Sequence, residues 1–227
     1  MLSCSMLLRN LVALFSLKTV YRSVQWVSIC YITSRMFRSD KEEHMKRILM
    51  IIGSLRRDSF NKQLAEMVTE MMTGVADVSV LDYSDLPLMN QDMEYPAPEA
   101  VSRVRREVKE ADGIWIFSPE YNYQIPGVLK NLLDWLSRPL DPNDRNRETV
   151  AVKGKAVAIS SVAGGSSGAG VRKNLSELLE VMAMNVVGGQ GTGVSLDREA
   201  FTTGKLSLSN EKKDELKKKV ELFFNEL

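Results

Sequence analysis

Three short runs of nearly unbroken apolar residues constrain this fold more than any other feature of the chain. They are Arg47–Ile52 (RILMII), Gly113–Ser118 (GIWIFS) and Lys155–Ser160 (KAVAIS). A strand with one wet face alternates polar and apolar residues. A run without that alternation belongs to a strand covered on both faces. Helical stripes lie between the runs. Asn61–Thr73 carries Leu64, Ala65, Val68, Met71 and Met72. Glu99–Ala111 carries Val101, Val104 and Val108, and Pro126–Ser137 carries Leu129, Leu132, Leu133 and Leu136. Val75–Leu81 reads as a further strand. Asn185–Val187 with Gly191–Leu196 reads as a weak fifth strand region. Val171–Met184 and Glu211–Phe224 read as helices, and polar residues 138–150 as a surface loop. Strands alternating with helices predict an α/β fold: a doubly wound, five-stranded parallel sheet with helices on both faces. Ligands of such sheets sit at the carboxyl ends of the strands, near the point where strand order reverses. The loops after the first, third and fourth strands are therefore the places to look for chemistry.

The scarce residues limit what that chemistry is. Both cysteines (Cys4, Cys30) and the single histidine (His44) precede Met45. A body beginning at Met45 has no Cys or His ligand for zinc, no Ser-His-Asp triad and no thiol nucleophile. The chain carries 30 Lys+Arg against 29 Asp+Glu, a formal charge of +1. That balance gives no electrostatic case for nucleic-acid binding.

Residues 1–44 differ in kind from the rest. They hold six bases and three acids, whereas the following 183 residues hold 24 and 26. The longest uncharged runs are Asn10–Leu17 and Ser23–Ser34. At ~1.5 Å per helical residue the longer covers about 18 Å, short of the ~30 Å of a hydrocarbon core. No transmembrane span is expected. Three readings stand: a stretch translated upstream of a start at Met45, an Arg-rich organelle presequence, or a peripheral membrane or partner helix. The expected division is an N-terminal extension over 1–44, not part of the fold, and a single folded domain over 45–227. The expected location is the cytoplasm, or an organelle if 1–44 is a presequence.

The loop after the first strand reads Gly53-Ser54-Leu55-Arg56-Arg57-Asp58-Ser59-Phe60-Asn61. Ser54, Ser59 and Asn61 offer hydrogen bonds, and Arg56 offers a guanidinium fork suited to phosphate. The helix that begins here adds unpaired N–H groups. The loop lacks the Gly-Lys-Ser/Thr of a Walker A motif, and no Gly-x-Gly-x-x-Gly occurs in the chain. The plainer alternative is a capping Ser59 and a solvated Arg56. The loop after the third strand reads Pro119-Glu120-Tyr121-Asn122-Tyr123-Gln124-Ile125-Pro126-Gly127. Two aromatics and two amides between prolines suit a flat heteroaromatic ligand, with one group stacking and others reading the ring edge. The alternative is that Tyr121 and Tyr123 pack against a neighbouring subunit.

Together these loops, with the following Leu129-Lys130-Asn131 and Asp134-Trp135-Leu136-Ser137-Arg138, resemble the NADPH-dependent FMN reductase family of flavodoxin-like quinone, azo-dye and chromate reductases. The resemblance covers essentially all of 46–226. It implies a flavodoxin-like sheet, FMN as cofactor and NADPH or NADH as co-substrate. It implies that Ser54, Leu55, Arg56, Ser59, Phe60 and Asn61 hold the FMN phosphate. Pro119, Glu120, Tyr121, Asn122 and Tyr123 would border the isoalloxazine, with Ser161, in the loop after the fourth strand, contacting it from a third side. The second half of that loop (Ser166-Ser167-Gly168-Ala169) departs from the family form. Trp135 reads as core and Asp134 as structural. The resemblance further implies a ping-pong cycle passing hydride from NADPH through FMN to a quinone, azo, nitro or related acceptor. It also implies a homodimer or homotetramer, with Tyr123 and the 83–98 loop as interface candidates. The competing reading is a flavodoxin-type electron carrier. Such carriers use strongly acidic surfaces, which a body charge of −2 does not supply. A receiver domain needs an acidic cluster at the strand ends to hold magnesium, and Ile-Ile-Gly-Ser and Phe-Ser-Pro lack one.

Overall fold

The structure is a computed structural model that describes residues 45–227. The expectations for residues 1–44 lie outside the described residues. In chain order the elements are β1 (Lys46–Ile52), α1 (Phe60–Met71), β2 (Ala76–Val80), α2 (Glu99–Glu110), β3 (Gly113–Phe117) and α3 (Gly127–Leu136). Then come β4 (Ala156–Ala163), α4 (Ala169–Val181), β5 (Asn185–Val186), β6 (Thr192–Ser195), α5 (Arg198–Thr203) and α6 (Asn210–Phe224). Every strand pairing is parallel, in the order β2-β1-β3-β4-β5, with β6 also against β4.

Successive side chains of a strand point to opposite faces, so each apolar run feeds two cores. Leu49, Ile51, Ile114, Ile116, Val157 and Ile159 face the layer formed by α2, α3 and α4. Ile48, Met50, Trp115, Phe117 and Ala158 face α1 and α6. Trp115 anchors the second core. Its ring stacks on Phe117 at 5.9 Å and meets Phe223 at 5.3 Å. Its Nε1 donates to Ser160 Oγ at 3.0 Å, which satisfies the one polar atom that burial would otherwise strand. Trp135 is buried in the other layer, as its helical position indicated, and donates to the Pro87 carbonyl at 2.9 Å. Asp134 pairs with Lys130 one turn earlier on α3.

Two features differ most from the sequence expectation. The fourth strand continues through Ser161, Val162 and Ala163, which pair with Gly193, Val194 and Ser195. Its hydroxyl-rich end resembles a loop in composition, yet β6 supplies the missing partners. The short helix α5 is also new; Asp197 caps it by accepting from the Ala200 amide at 2.7 Å. The fifth strand position is one strand in two pieces, as the weak pattern suggested. Residues between β5 and β6 bulge out and return at Gly191, where φ is +72° and a Cβ would lie 1.9 Å from the Ile159 carbonyl oxygen. Only glycine fits there.

Strand order reverses between β1 and β3, and the loops that follow them open on the same end of the sheet. Among the described residues, no helix is long and apolar enough to cross a membrane.

Candidate functional site

The carboxyl ends of β1, β3 and β4 converge on a cleft of about 270 Å³. The first loop contributes Ser54, Arg56, Ser59, Phe60 and Asn61. The third-strand loop contributes Pro119, Glu120 and Tyr121. Eight of the twelve residues singled out in the sequence thus meet in one cavity, although they come from segments some 60 residues apart. Leu55, Asn122, Tyr123 and Ser161 lie outside its lining.

The first loop presents donors without acceptors. Ser59 occupies the N-cap position of α1, but its side chain makes no capping hydrogen bond. The plainer reading, a serine that only caps, is therefore not what the structure shows. The amides of Phe60, Asn61 and Lys62 have no backbone acceptor among the described residues, as expected for the open first turn of a helix. Arg56 is exposed. Its guanidinium lies over the Phe60 ring at 5.4 Å and donates to the Asp58 carbonyl. The Ser54 hydroxyl accepts from the Arg56 amide at 3.3 Å, which folds the loop back toward the helix.

Asn61 has a second task. β3 leaves the sheet at Pro119, so the edge of β4 beyond Ser160 loses its neighbour on that side. The Asn61 side chain takes the neighbour's place: Oδ1 accepts from the Val162 amide at 2.9 Å and Nδ2 donates to the Val162 carbonyl at 3.0 Å. It is buried and joins two walls of the cleft. Asn61→Ala should cost about 2–4 kcal/mol, because both Val162 groups lose their partner in a buried setting. Urea denaturation measures this. A loss within experimental error would show that water replaces the amide.

Tyr121 and Gln124 exchange both backbone hydrogen bonds, at 3.2 and 3.0 Å, and so close a two-residue hairpin. Its central residues, Asn122 and Tyr123, have φ of 54° and 63°. Positive φ at both central positions is the signature of a type I′ turn. Asparagine tolerates that region; a tyrosine there costs on the order of 1 kcal/mol. The strained turn leaves the amides of Asn122 and Tyr123 without backbone acceptors among the described residues and leaves Tyr123 72% exposed.

Glu120 fastens this hairpin to the third loop. Its carboxylate accepts from the Ser166 hydroxyl at 2.6 Å and the Val171 amide at 2.9 Å, at the start of α4. Partial burial alone would raise its pKa. The Ser166 hydroxyl, the Val171 and Gly170 amides and the Arg172 charge outweigh that, so the carboxyl sits below its ordinary value. The folded-state pKa is thus below the unfolded one. The clamp's contribution is present above about 4.3, the ordinary glutamate value, and is lost as pH falls through the folded value. Glu120→Gln should flatten the dependence of thermal stability on pH between about 5 and 3. An unchanged slope would remove Glu120 from this role.

Ser161 lies beneath the cleft. It is fully buried, and its hydroxyl donates to the Ser118 carbonyl at 2.6 Å, tying the end of β3 to β4. The sequence reading placed it in a loop, which the extended β4 corrects. The cleft also has five lining residues that the sequence reading did not single out: Val162, Ala163 and Gly164 at the end of β4, then Leu196 and Phe201 beyond β6. The first three follow once β4 is extended. Phe201 is a 65% exposed aromatic on α5, and no local pattern marks it as functional. Among the described residues, no group of three His, Cys, Asp or Glu side chains is placed to hold a metal.

The sequence and the fold have known counterparts. The sequence profile of the NADPH-dependent FMN reductase family matches residues 46–197. The chain belongs to this family. A 2-hydroxy-1,4-benzoquinone reductase from Burkholderia sp is 45% identical over 93 residues, which are 41% of this chain and 51% of that protein. A quinone reductase from Escherichia coli K12 is 34% identical over 146 residues, 61% of this chain and 73% of that protein. The alignment thus spans about half the length of the Burkholderia relative and nearly three quarters of the E. coli one. In solved structures the fold is similar to that of FerB, a flavoenzyme NAD(P)H:(acceptor) oxidoreductase from Paracoccus denitrificans. The TM-score is 0.68 at 26% identity, over 79% of this chain and 96% of that one. The parallel, flavodoxin-like sheet that the resemblance implies is observed, in the order β2-β1-β3-β4-β5.

Proposed function

We propose that this member of the NADPH-dependent FMN reductase family is an NAD(P)H-dependent quinone reductase that holds FMN in the cleft at the ends of β1, β3 and β4. The observation that carries the reading is the convergence, in one cavity, of a helix N-terminus with free amides and an arginine, and the Pro119-Glu120-Tyr121 arm of the hairpin, whose tip holds Asn122 and Tyr123. The first is a phosphate cradle. The second offers flat faces and donors for a heteroaromatic edge. The quinone reductases among the relatives support the choice of acceptor.

Flavin, when bound, supplies the hydride-accepting and hydride-donating chemistry. The chain's residues have other work. Ser54, Ser59 and the open amides of α1 bind phosphate, and Arg56 closes over it with a charge-assisted fork. Leu55 belongs to the same loop, exposed and outside the cavity lining. Pro119, Glu120 and Tyr121 form the opposite wall. Asn122 and Tyr123 border the mouth, where their free amides are available to a ring edge. Asn61 and Ser161 hold the walls at fixed separation from below. Positioning of this sort needs no protein nucleophile, which agrees with a sequence free of Cys and His from Met45 onward. The reading carries a ping-pong order, in which one substrate leaves before the other binds. Steady-state rates against NADPH at several benzoquinone concentrations should give parallel double-reciprocal lines. Intersecting lines would replace that order with a ternary complex.

A second copy of the chain belongs in this proposal. Leu88 is 82% exposed, and Tyr121 and Tyr123 are also open to solvent. Leu88 lies in the 83–98 loop, which with Tyr123 is the interface candidate of the sequence reading, and Tyr121 stands beside Tyr123 in the hairpin. Sedimentation as a fully active monomer would remove this element and leave the rest standing.

A further inference from the structure

A second cavity, of about 440 Å³, lies between α2 and the 94–97 loop, and shares no lining residue with the cleft. We infer that it is a binding site for a small organic anion, a carboxylate carried on an apolar body. The argument is one of unmatched charge. Five charged residues line the cavity: Glu94, Arg105, Arg106, Lys109 and Glu110. Both acids are already neutralised by cations outside the lining. Glu94 is held by Arg138 through two bonds, at 2.7 and 3.1 Å, and Glu110 pairs with Arg47 at 2.9 Å. Arg105, Arg106 and Lys109 take part in no ion pair among the described residues. Three cations on one face of α2 are left facing the cavity.

Arg105 makes the case specific. It is only 5% exposed, yet one hydrogen bond, to the Trp135 carbonyl at 3.1 Å, is all that its guanidinium makes among the described residues. Its Nε is a buried donor with no partner. A buried guanidinium ordinarily has its charge paired and its donors occupied. Its packing over the Trp135 ring, at 6.0 Å, stabilises the cation but satisfies no N–H. A carboxylate entering the cavity beside Arg105, Arg106 and Lys109 would meet three cations that no acid among the described residues neutralises. Tyr95, Pro96, Ala97 and Leu140 give the remaining wall an apolar character, which suits a hydrocarbon or aromatic body better than a bare inorganic ion.

The test is isothermal titration of the full chain with benzoate, and with benzamide as the uncharged counterpart, each with and without equimolar FMN. Benzoate should bind saturably, at least tenfold more tightly than benzamide, and with the same affinity whether or not FMN is present. Arg106→Ala combined with Lys109→Ala, on the exposed side of α2, should weaken benzoate at least tenfold with no change in fold. Arg105→Met should abolish binding, or unfold the protein, and the surface pair carries the decision in the second case. Equal binding of benzoate and benzamide, competition between benzoate and FMN, or unchanged affinity in the Arg106/Lys109 variant would each overturn the inference.

Discussion

Arg56→Ala is expected to raise the FMN dissociation constant by roughly tenfold to a hundredfold, the range of one lost charge-assisted hydrogen-bond pair. The melting temperature of the flavin-free protein should stay where it is. Arg56 is exposed, and its contacts are the Asp58 carbonyl and the face of Phe60, which packs at the margin of the second core and stays in place without the arginine. Arg56→Lys should fall between wild type and alanine, because it keeps the charge and loses the planar fork. The difference between the arginine and alanine forms should shrink as salt rises, since the site is open to solvent. Fluorescence titration of FMN measures all three. An alanine variant that binds FMN as the wild type does would leave the first loop without a phosphate role. A variant that fails to fold would show that the loop is structural.

The second large effect is expected at Gly168, which precedes α4. Its φ is +70°, and a Cβ there would fall 1.9 Å from Ser161 Oγ and 2.5 Å from Ser161 Cβ. Ser161 is buried and fixed by its bond to the Ser118 carbonyl, so it has nowhere to move. Gly168→Ala combines a left-handed backbone penalty of about 1–2 kcal/mol with overpacking of about 1–3 kcal/mol. A loss of about 3–4 kcal/mol is a large share of the ~5–15 kcal/mol that holds a domain together. Flavin affinity should fall with it, because the tie between β3 and β4 lies directly beneath the cleft. Gly165→Ala is the control. A Cβ there meets nothing within 4 Å and the φ is not positive, so the expected change is within about 0.5 kcal/mol. Equal stability of the two variants in denaturant would contradict the proposed support under the site.

The parts of this molecule legible in the sequence are those set by short-range pattern. RILMII and GIWIF are unbroken apolar runs because both faces of β1 and β3 are covered, and their burial says the same. The two loops after them were legible because their residue types are costly without a purpose. An arginine between serines at a helix start is one case, and paired tyrosines in a turn are the other. What escaped depends on contacts across the chain. Ser161 looks like a loop residue until the Ser118 carbonyl is brought to it, from 43 residues away. The pairing of Asn61 with Val162 spans 101 positions. Phe201 reaches the cleft only because β6 adds to the outer side of β4 and hands the chain to α5. Strand pairing decides these placements, and no local periodicity encodes it.

The central claim is that the cleft holds a flavin which NADPH reduces and a quinone reoxidises. The most direct measurement is the visible spectrum of the purified chain with FMN, followed under anaerobic conditions through addition of NADPH and then of benzoquinone. Bound flavin should show bands near about 375 and 450 nm, bleach on NADPH and recover on the quinone. A protein that takes up no flavin, or whose bound flavin keeps its colour in excess NADPH and NADH, would contradict the account.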